Sequence, residues 1–339
     1  MSFKKSFIKN LAMGTALIAI SATLFSGCSK NTEELKIYSI IHEEETQALT
    51  DLFTKKTGIP VSFLRASTGE LVNRVIVEKD DPQADILLGG ATSYHMQADS
   101  AGALESYDSP MAKNVPEYAR SENNTWTGFC VLTLGIGVNT ARFQQKFPSE
   151  KIPATWDDLL NPAFKGEIVL TNPVASSTAY LFVQDQLQRL GWDDGWTYLR
   201  SLSELVGQFP DSGSAPAKLV GTGEYTFGVS YLHALSKYNA GGFNITLVAP
   251  PKSVGDVDCI SILKNSKNQS AARKFVDFML SKDAQELMSS IDFTIPVNPD
   301  ATAVKGSIPV SELDLIDYDA NLASTQKDEV LKKWAKEIK

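Results

Sequence analysis

Along this chain of 339 residues the spacing of apolar positions switches repeatedly between two and about three and a half. The switches come in a fixed order. Lys36 to Ile41 predicts a strand, and Glu43 to Thr57 follows as a helix with Ala48, Leu49, Leu52 and Phe53 inward. Pro60 to Leu64 predicts the next strand, then Ser67-Thr68-Gly69, then a helical stripe from Leu71 and Val75. Ala84 to Leu88 is a third strand, ending in Gly89-Gly90. Strand, short turn of small or hydroxyl residues, helix is the pattern of parallel α/β units. Ligands of such sheets sit beyond the carboxyl ends of the strands, which puts His42, Ser67, Thr68, Gly89 and Gly90 on one rim.

Trp126 to Asn139 breaks the pattern. It is a long apolar run with Gly135 and Gly137, suited to a strand that leaves one lobe and enters another. The pattern then restarts. Thr155 to Leu160 predicts a short helix and Glu167 to Leu170 a strand, and Ser176-Ser177-Thr178 opens a helix to Leu190. Val206 to Phe209 leads to Ser212-Gly213-Ser214 and a helix to Val220, and Tyr225 to Val229 leads to Ser230-Tyr231 and a helix to Tyr238. Ile245 to Ala249 is a strand, and Asp256 to Leu263 is the return crossing. Ala271 to Met288 predicts one helix of the first lobe, and the chain ends in a charged amphipathic helix near Lys327–Ile338. The expected lobes are 35–131 with 260–339, and 132–259. Their hydroxyl-bearing rims would face each other across a cleft that closes on a small solute.

The turn after Arg65 carries the first chemistry. Unpaired N–H groups and the helix dipole draw an anion to a helix N-terminus. Ser67 followed by Glu70 is also a capping box, which would only close the helix end. Ser176–Thr178 repeats the device from the other lobe, and this repetition favours ligand binding over capping.

Met1 to Asn10 carries Lys4, Lys5 and Lys9 and no acid, and Leu11 to Phe25 is apolar apart from small or hydroxyl residues. That is a signal peptide over 1–27, too short for a comfortable membrane span. Leu24-Phe25-Ser26-Gly27-Cys28 resembles a lipobox, which implies a lipid on Cys28 and a polar tether over 28–34. The formal charge is -8, and loss of the three leader lysines makes the mature chain more acidic still. An acidic envelope protein with no basic block is a poor nucleic-acid binder, so no nucleic-acid partner is expected. Cys130 and Cys259 are not in a Cys-x-x-Cys pair, which argues against a thiolate metal site. Two buried thiols or one disulfide both fit.

From Leu35 to about Asp300 the chain resembles a solute-binding protein of an ABC importer. The family in question includes ferric-binding, phosphonate-binding and sugar-phosphate-binding members. The resemblance rests on Ile37-Tyr38-Ser39, Phe53-x-x-x-Thr57-Gly58-Ile59, Ala84-Asp85-Ile86, Ala101-Gly102-Ala103-Leu104, Trp156-Asp157-Asp158-Leu159, Phe164-Lys165-Gly166 and Pro296-Val297-Asn298-Pro299, in that order. It implies the type II periplasmic-binding-protein fold: two α/β lobes, each a mixed sheet flanked by helices, joined by two hinge strands. It also implies capture without chemistry, no cofactor, and delivery to a permease and ATPase by a monomer anchored to the membrane at Cys28. The ligand set that follows is Ser39, His42, Ser67, Thr68, Gly69, Gly90, Ser176, Ser177, Thr178, Ser214, Tyr231 and Asp256 around a small anionic solute, a phosphonate or phosphorylated compound. The alternative cargo is ferric iron, held by His42 and Tyr231. Ferric-binding members use two adjacent tyrosines and an acid, however, and here Ser230 and Gly89-Gly90 stand in those places, a poor set for hard Fe³⁺. A ligand-sensing lipoprotein is a further alternative. His95 and His233 are expected at the surface or in packing, and Trp192 with Trp196 in packing. If the two crossing strands run side by side, Cys130 and Cys259 are neighbours.

Catalysis is not expected. Gly228-Val229-Ser230 and Ser212-Gly213-Ser214 do not complete Gly-x-Ser-x-Gly. Gly221-x-Gly223 and Gly135-x-Gly137 lack the rest of a dinucleotide fingerprint. No nucleophile, base and orienting group can be assembled.

Overall fold

Two mixed sheets, each flanked by helices, are tied together by one long strand and by a second strand returning beside it. The computed structural model describes residues 34–338; the leader, Cys28 and nearly all of the tether lie outside the described residues. In the first sheet β1 (Leu35–Ser39) is central to a parallel trio, with β2 (Val61–Arg65) on one side and β3 (Ile86–Ala91) on the other. Helix α1 (Glu43–Thr57) links β1 to β2, and α2 (Thr68–Val77) links β2 to β3. His42 is the N-cap of α1, and Gly58 ends it in the left-handed region, φ 73°. β3 runs on through Gly89 and Gly90, both at positive φ (87° and 96°), and delivers α3 (Thr92–Ser100). A two-residue strand, β4 (Leu104–Glu105), follows.

β5 (Thr127–Asn139) makes the crossing. Residues 127–133 pair with the returning strand in the first sheet, and residues 134–139 pair with two strands of the second. All thirteen positions are buried, so the run lacks the alternation of a one-faced strand. After α4 (Thr140–Lys146) the second sheet is built from β6 (Ile168–Val169), β7 (Val206–Gln208), β8 (Phe227–Tyr231) and β9 (Ile245–Val248). Helices α5 (Ser177–Leu190), α6 (Trp192–Ser203), α7 (Ala215–Gly221) and α8 (Leu232–Ala240) connect them. β10 (Gly255–Leu263) then lies antiparallel between β5 and β3. Asp258 faces Cys130 and Cys259 faces Gly128 across β10 and β5, so the two cysteines sit on paired strands; both are buried and free.

The first lobe closes with α9 (Gln269–Met279) and α10 (Lys282–Asp292), followed by β11 (Ile295–Pro296) on β5. The single helix expected over 271–288 is therefore two. Ser281 starts the second by accepting from Ala284 N at 3.4 Å, a local N-cap that continuous apolar spacing conceals. Phe53 of α1 packs edge-on against Phe275 at 5.0 Å and also contacts Phe278, and this cluster fixes the face of α1 that meets α9. The tail was expected with the first lobe, yet α11 (Ala320–Thr325) and α12 (Lys327–Glu337) touch both. Lys327 bonds Gln97 of α3 at 2.6 Å, while Trp334 packs on Phe209 and Glu337 pairs with Arg200 in the second lobe.

Candidate functional site

The carboxyl ends of β1, β2, β3 and β8 and the start of α5 open onto one cleft between the lobes, with an empty volume of about 760 Å³, part of it open to solvent. One wall is made of hydroxyls. Ser67 and Thr68 stand at the N-terminus of α2, and Ser176, Ser177 and Thr178 at that of α5. Thr68 Oγ1 donates to Ser177 Oγ at 3.2 Å, so the two helix starts meet across the lobes. Ser176 is the N-cap of α5 but makes no side-chain cap bond. Ser67 does cap α2, weakly, accepting from Glu70 N at 3.4 Å. Gly213 presses on this wall: a Cβ there would lie 2.4 Å from Thr178 Oγ1 and 2.7 Å from Ser176 Oγ. Only a residue without a side chain permits that approach. Ser212 and Ser214 flank it, and Arg65, at the end of β2, also lines the cleft.

The same cleft also carries acids. Glu45 from the first turn of α1, Asp258 from β10 and Asp292 from the end of α10 line the cleft with His42, His233 and Tyr231. Asp258 Oδ1 accepts from Gly90 N, and burial pushes its carboxyl up to about 7. Burial raises Asp292 to about 6 and raises Glu45 as well, against the pull of Lys237 on both. Burial lowers His42, and lowers His233 to about 4, so the two imidazoles are neutral at pH 7. The Tyr231 hydroxyl is buried beside the Ser177 and Thr178 side chains without reaching full hydrogen-bond geometry, and its ring stacks on His233 at 5.2 Å. Burial raises its pKa well above the usual phenol value, so it serves as a donor.

The structure gathers nine of the residues expected at the site: His42, Ser67, Thr68, Gly90, Ser176, Ser177, Thr178, Ser214 and Tyr231. Three fall elsewhere. Ser39 is fully buried and bonds Thr46 Oγ1 at 2.7 Å, stapling β1 to α1. Gly69 lies against the second lobe, where a Cβ would come 3.1 Å from Val174 O. Asp256 sits behind the cleft, where its Oδ1 accepts from Thr92 Oγ1 at 2.7 Å and Val257 N at 2.8 Å. Asp258, two residues along the same strand, reaches the cleft in its place. His233 was expected at the surface or in packing and instead lines the acidic wall. His95 is a packing residue, fully buried between Ser261 Oγ and Gly89 O. Trp192 and Trp196 pack on each other at 5.9 Å. Arg65, Glu45, Asp258 and Asp292 were not foreseen. Arg65 and Glu45 left a trace, since each sits beside a predicted strand-to-helix turn.

The family model for bacterial extracellular solute-binding proteins matches residues 48–312. The chain belongs to that family. An uncharacterized protein of Haemophilus influenzae is 30% identical over 97% of each chain. A putative 2-aminoethylphosphonate-binding periplasmic protein of Salmonella typhimurium is 26% identical over 85% of each. Among solved structures, the periplasmic binding protein AfuA of Actinobacillus pleuropneumoniae, with exogenous fructose-6-phosphate bound, superposes with a TM-score of 0.87. It is 31% identical, over 90% of this chain and 99% of that one. Membership makes this chain a solute-binding protein. Among the described residues no helix is long and apolar enough to cross a membrane.

Proposed function

We propose that this solute-binding protein captures a small phosphorylated or phosphonate compound in the interlobe cleft and hands it to the permease of an ABC importer. One observation carries the reading. Two helix N-termini, one from each lobe, bring Thr68 and Ser177 within 3.2 Å on the wall of one cleft that Arg65 also lines. Donors and helix dipoles converging from two sides suit a compact oxyanion. The acidic wall suits the other end of the same molecule. Glu45, Asp258 and Asp292 accept hydrogen bonds, so the solute carries donors there, either sugar hydroxyls or an ammonium. Relatives that bind fructose-6-phosphate and 2-aminoethylphosphonate support both tails. A lipid on Cys28 would hold the protein at the membrane while the lobes open and close.

Ferric iron fits the donors less well. Hard Fe³⁺ is served by several anionic oxygens, yet the cleft brings a single tyrosine, with Ser230 beside it. Among the described residues no group of three or more His, Cys, Asp or Glu side chains is placed to hold a metal ion.

A thermal-shift screen of the mature protein tests the reading, using fructose 6-phosphate, 2-aminoethylphosphonate, inorganic phosphate and ferric citrate. A concentration-dependent rise with a phosphorus compound is expected. Near-stoichiometric iron with a visible phenolate-to-metal absorption would overturn it and make His42 and Tyr231 ligands.

A further inference from the structure

Lys237 lies on α8 in the second lobe and points at the first. Its Nζ stands 3.5 Å from Glu44, 3.4 Å from Glu45 and 3.3 Å from Asp292. His233, one turn earlier on α8, places Nε2 3.3 Å from Asp292 Oδ2. Glu45 and Asp292 are 1% and 3% exposed, whereas the Lys237 side chain is 31% exposed. One partly solvated cation therefore reaches across the interlobe boundary to two carboxylates that have lost their water. A buried carboxylate without a cation or a proton is strongly disfavoured, and here the cation comes from the other lobe.

We propose that Lys237 is a positioning residue that latches the two lobes together, touching no solute while holding Glu45 and Asp292 in the shape of the acidic wall. The latch acts whichever solute fills the cleft. It also makes lobe closure depend on protons in a definite direction. The charged or titratable groups facing the cluster are His42 at the N-cap of α1, Glu43, Glu44 and Glu45 on α1, Asp292 on α10, His233 and Tyr238 on α8, Tyr231 on β8, Cys130 on β5, Asp258 on β10 and Arg65 on β2. Without Lys237, closing the lobes buries Glu45 and Asp292, both on the first lobe, beneath α8 with no cation to offset their charge, so they must take up protons or the lobes stay open. Burial already favours their protonated forms, with Asp292 at about 6. Closure without Lys237 is thus easier at pH 5.5 than at pH 8. His42 and His233, lowered by burial, resist closure as the pH falls. The charge of Lys237 also lowers both, so its loss weakens that resistance and acts in the same direction as the carboxylates.

Small-angle X-ray scattering of the mature chain with no added solute tests this, at pH 5.5 and pH 8. Lys237→Met is expected to have a larger radius of gyration than wild type at pH 8 and to converge on it at pH 5.5. Lys237→Arg should follow wild type at both. Lys237→Met combined with Glu45→Gln and Asp292→Asn, which removes the two buried carboxylates that Lys237 meets, should stay compact at both. Circular dichroism verifies folding, and Lys237→Gln repeats the comparison with a polar side chain. A Lys237→Met radius equal to wild type at both pH values, or an expansion equally large at both, overturns the latch. Because no solute is added, this result is independent of whether the cleft takes a phosphorylated compound.

Discussion

The hydroxyl wall of the cleft comes from two strand-to-helix turns, each a run of two or three consecutive residues. The acidic wall gathers Glu45 from the first turn of a helix, Asp258 from a crossing strand and Asp292 from the last residue of another helix. The first wall is local in sequence and made of neutral dipoles that do not titrate near neutral pH. The second is assembled only by the tertiary fold, and its charge depends on how deeply each carboxyl is buried. A wall of the first kind supplies binding geometry that is insensitive to pH. A wall of the second kind supplies selectivity that can be switched by protons.

The contrast predicts that the largest loss of affinity follows damage to the hydroxyl wall. Thr68→Ala with Ser177→Ala removes one donor from each lobe and the 3.2 Å contact between them. Hydrogen bonds to a charged group are worth about 1.5–3 kcal/mol each. The double variant should therefore bind fructose 6-phosphate at least ~100-fold more weakly by isothermal titration calorimetry. Its melting temperature without solute should stay close to wild type. Unchanged affinity would reduce both turns to helix caps and remove the basis of the comparison.

A smaller effect is expected from Gly213→Ala. The new Cβ would meet Thr178 Oγ1 and Ser176 Oγ at under 3 Å, displacing two hydroxyls without deleting either. The atoms met are side-chain hydroxyls that can turn to other rotamers, so a loss of about 1–2 kcal/mol, roughly tenfold, is expected. An equal loss with inorganic phosphate and with the sugar phosphate would place the damage at the anion end. A loss confined to the sugar phosphate would move Gly213 to the acidic side and blur the division between walls.

The same division explains what was legible in the sequence. Ser67, Thr68 and Ser176–Thr178 stood out because a strand, a turn and a helix can each be recognised within a dozen residues. β5 was legible because an apolar run of thirteen residues has no other place in an α/β lobe. Glu45 was hidden as an ordinary first-turn acid that favours a helix N-terminus. Asp292 was hidden as the end of a helix whose start, at Ser281, was itself missed. Asp256 and Asp258 lie two apart and so share a face of β10. Their spacing could not say which one reaches the cleft, and the choice is made by what α3 places over each: Thr92 over Asp256, and the end of β3 at Gly90 beside Asp258. Lys237 carried no local signal, since its partners are on the other lobe.

The subtlest expected effect separates the walls by titration alone. Asp258 is held at about 7 by burial, against an unfolded value near 4. A folded-state pKa above the unfolded one means that the stability from its protonated form is complete below about 4 and is lost as pH rises through about 7. Asp256 and Asp292, both raised to about 6, act in the same direction. His95 and His233, both lowered to about 4, act oppositely, losing stability as pH falls. The raw stability curve mixes these, but a difference between variants does not. Asp258→Asn keeps an oxygen to accept from Gly90 N and removes one titrating group. Measured by calorimetry without solute, its melting temperature relative to wild type should rise from pH 5 to pH 8. For Thr68→Ala with Ser177→Ala the corresponding difference should be flat, because hydroxyls bind no protons in that range. A flat difference for Asp258→Asn as well would mean that Asp258 is ionised across the range. The acidic wall would then be a fixed charge, and only Lys237 and the solute would be left to balance it.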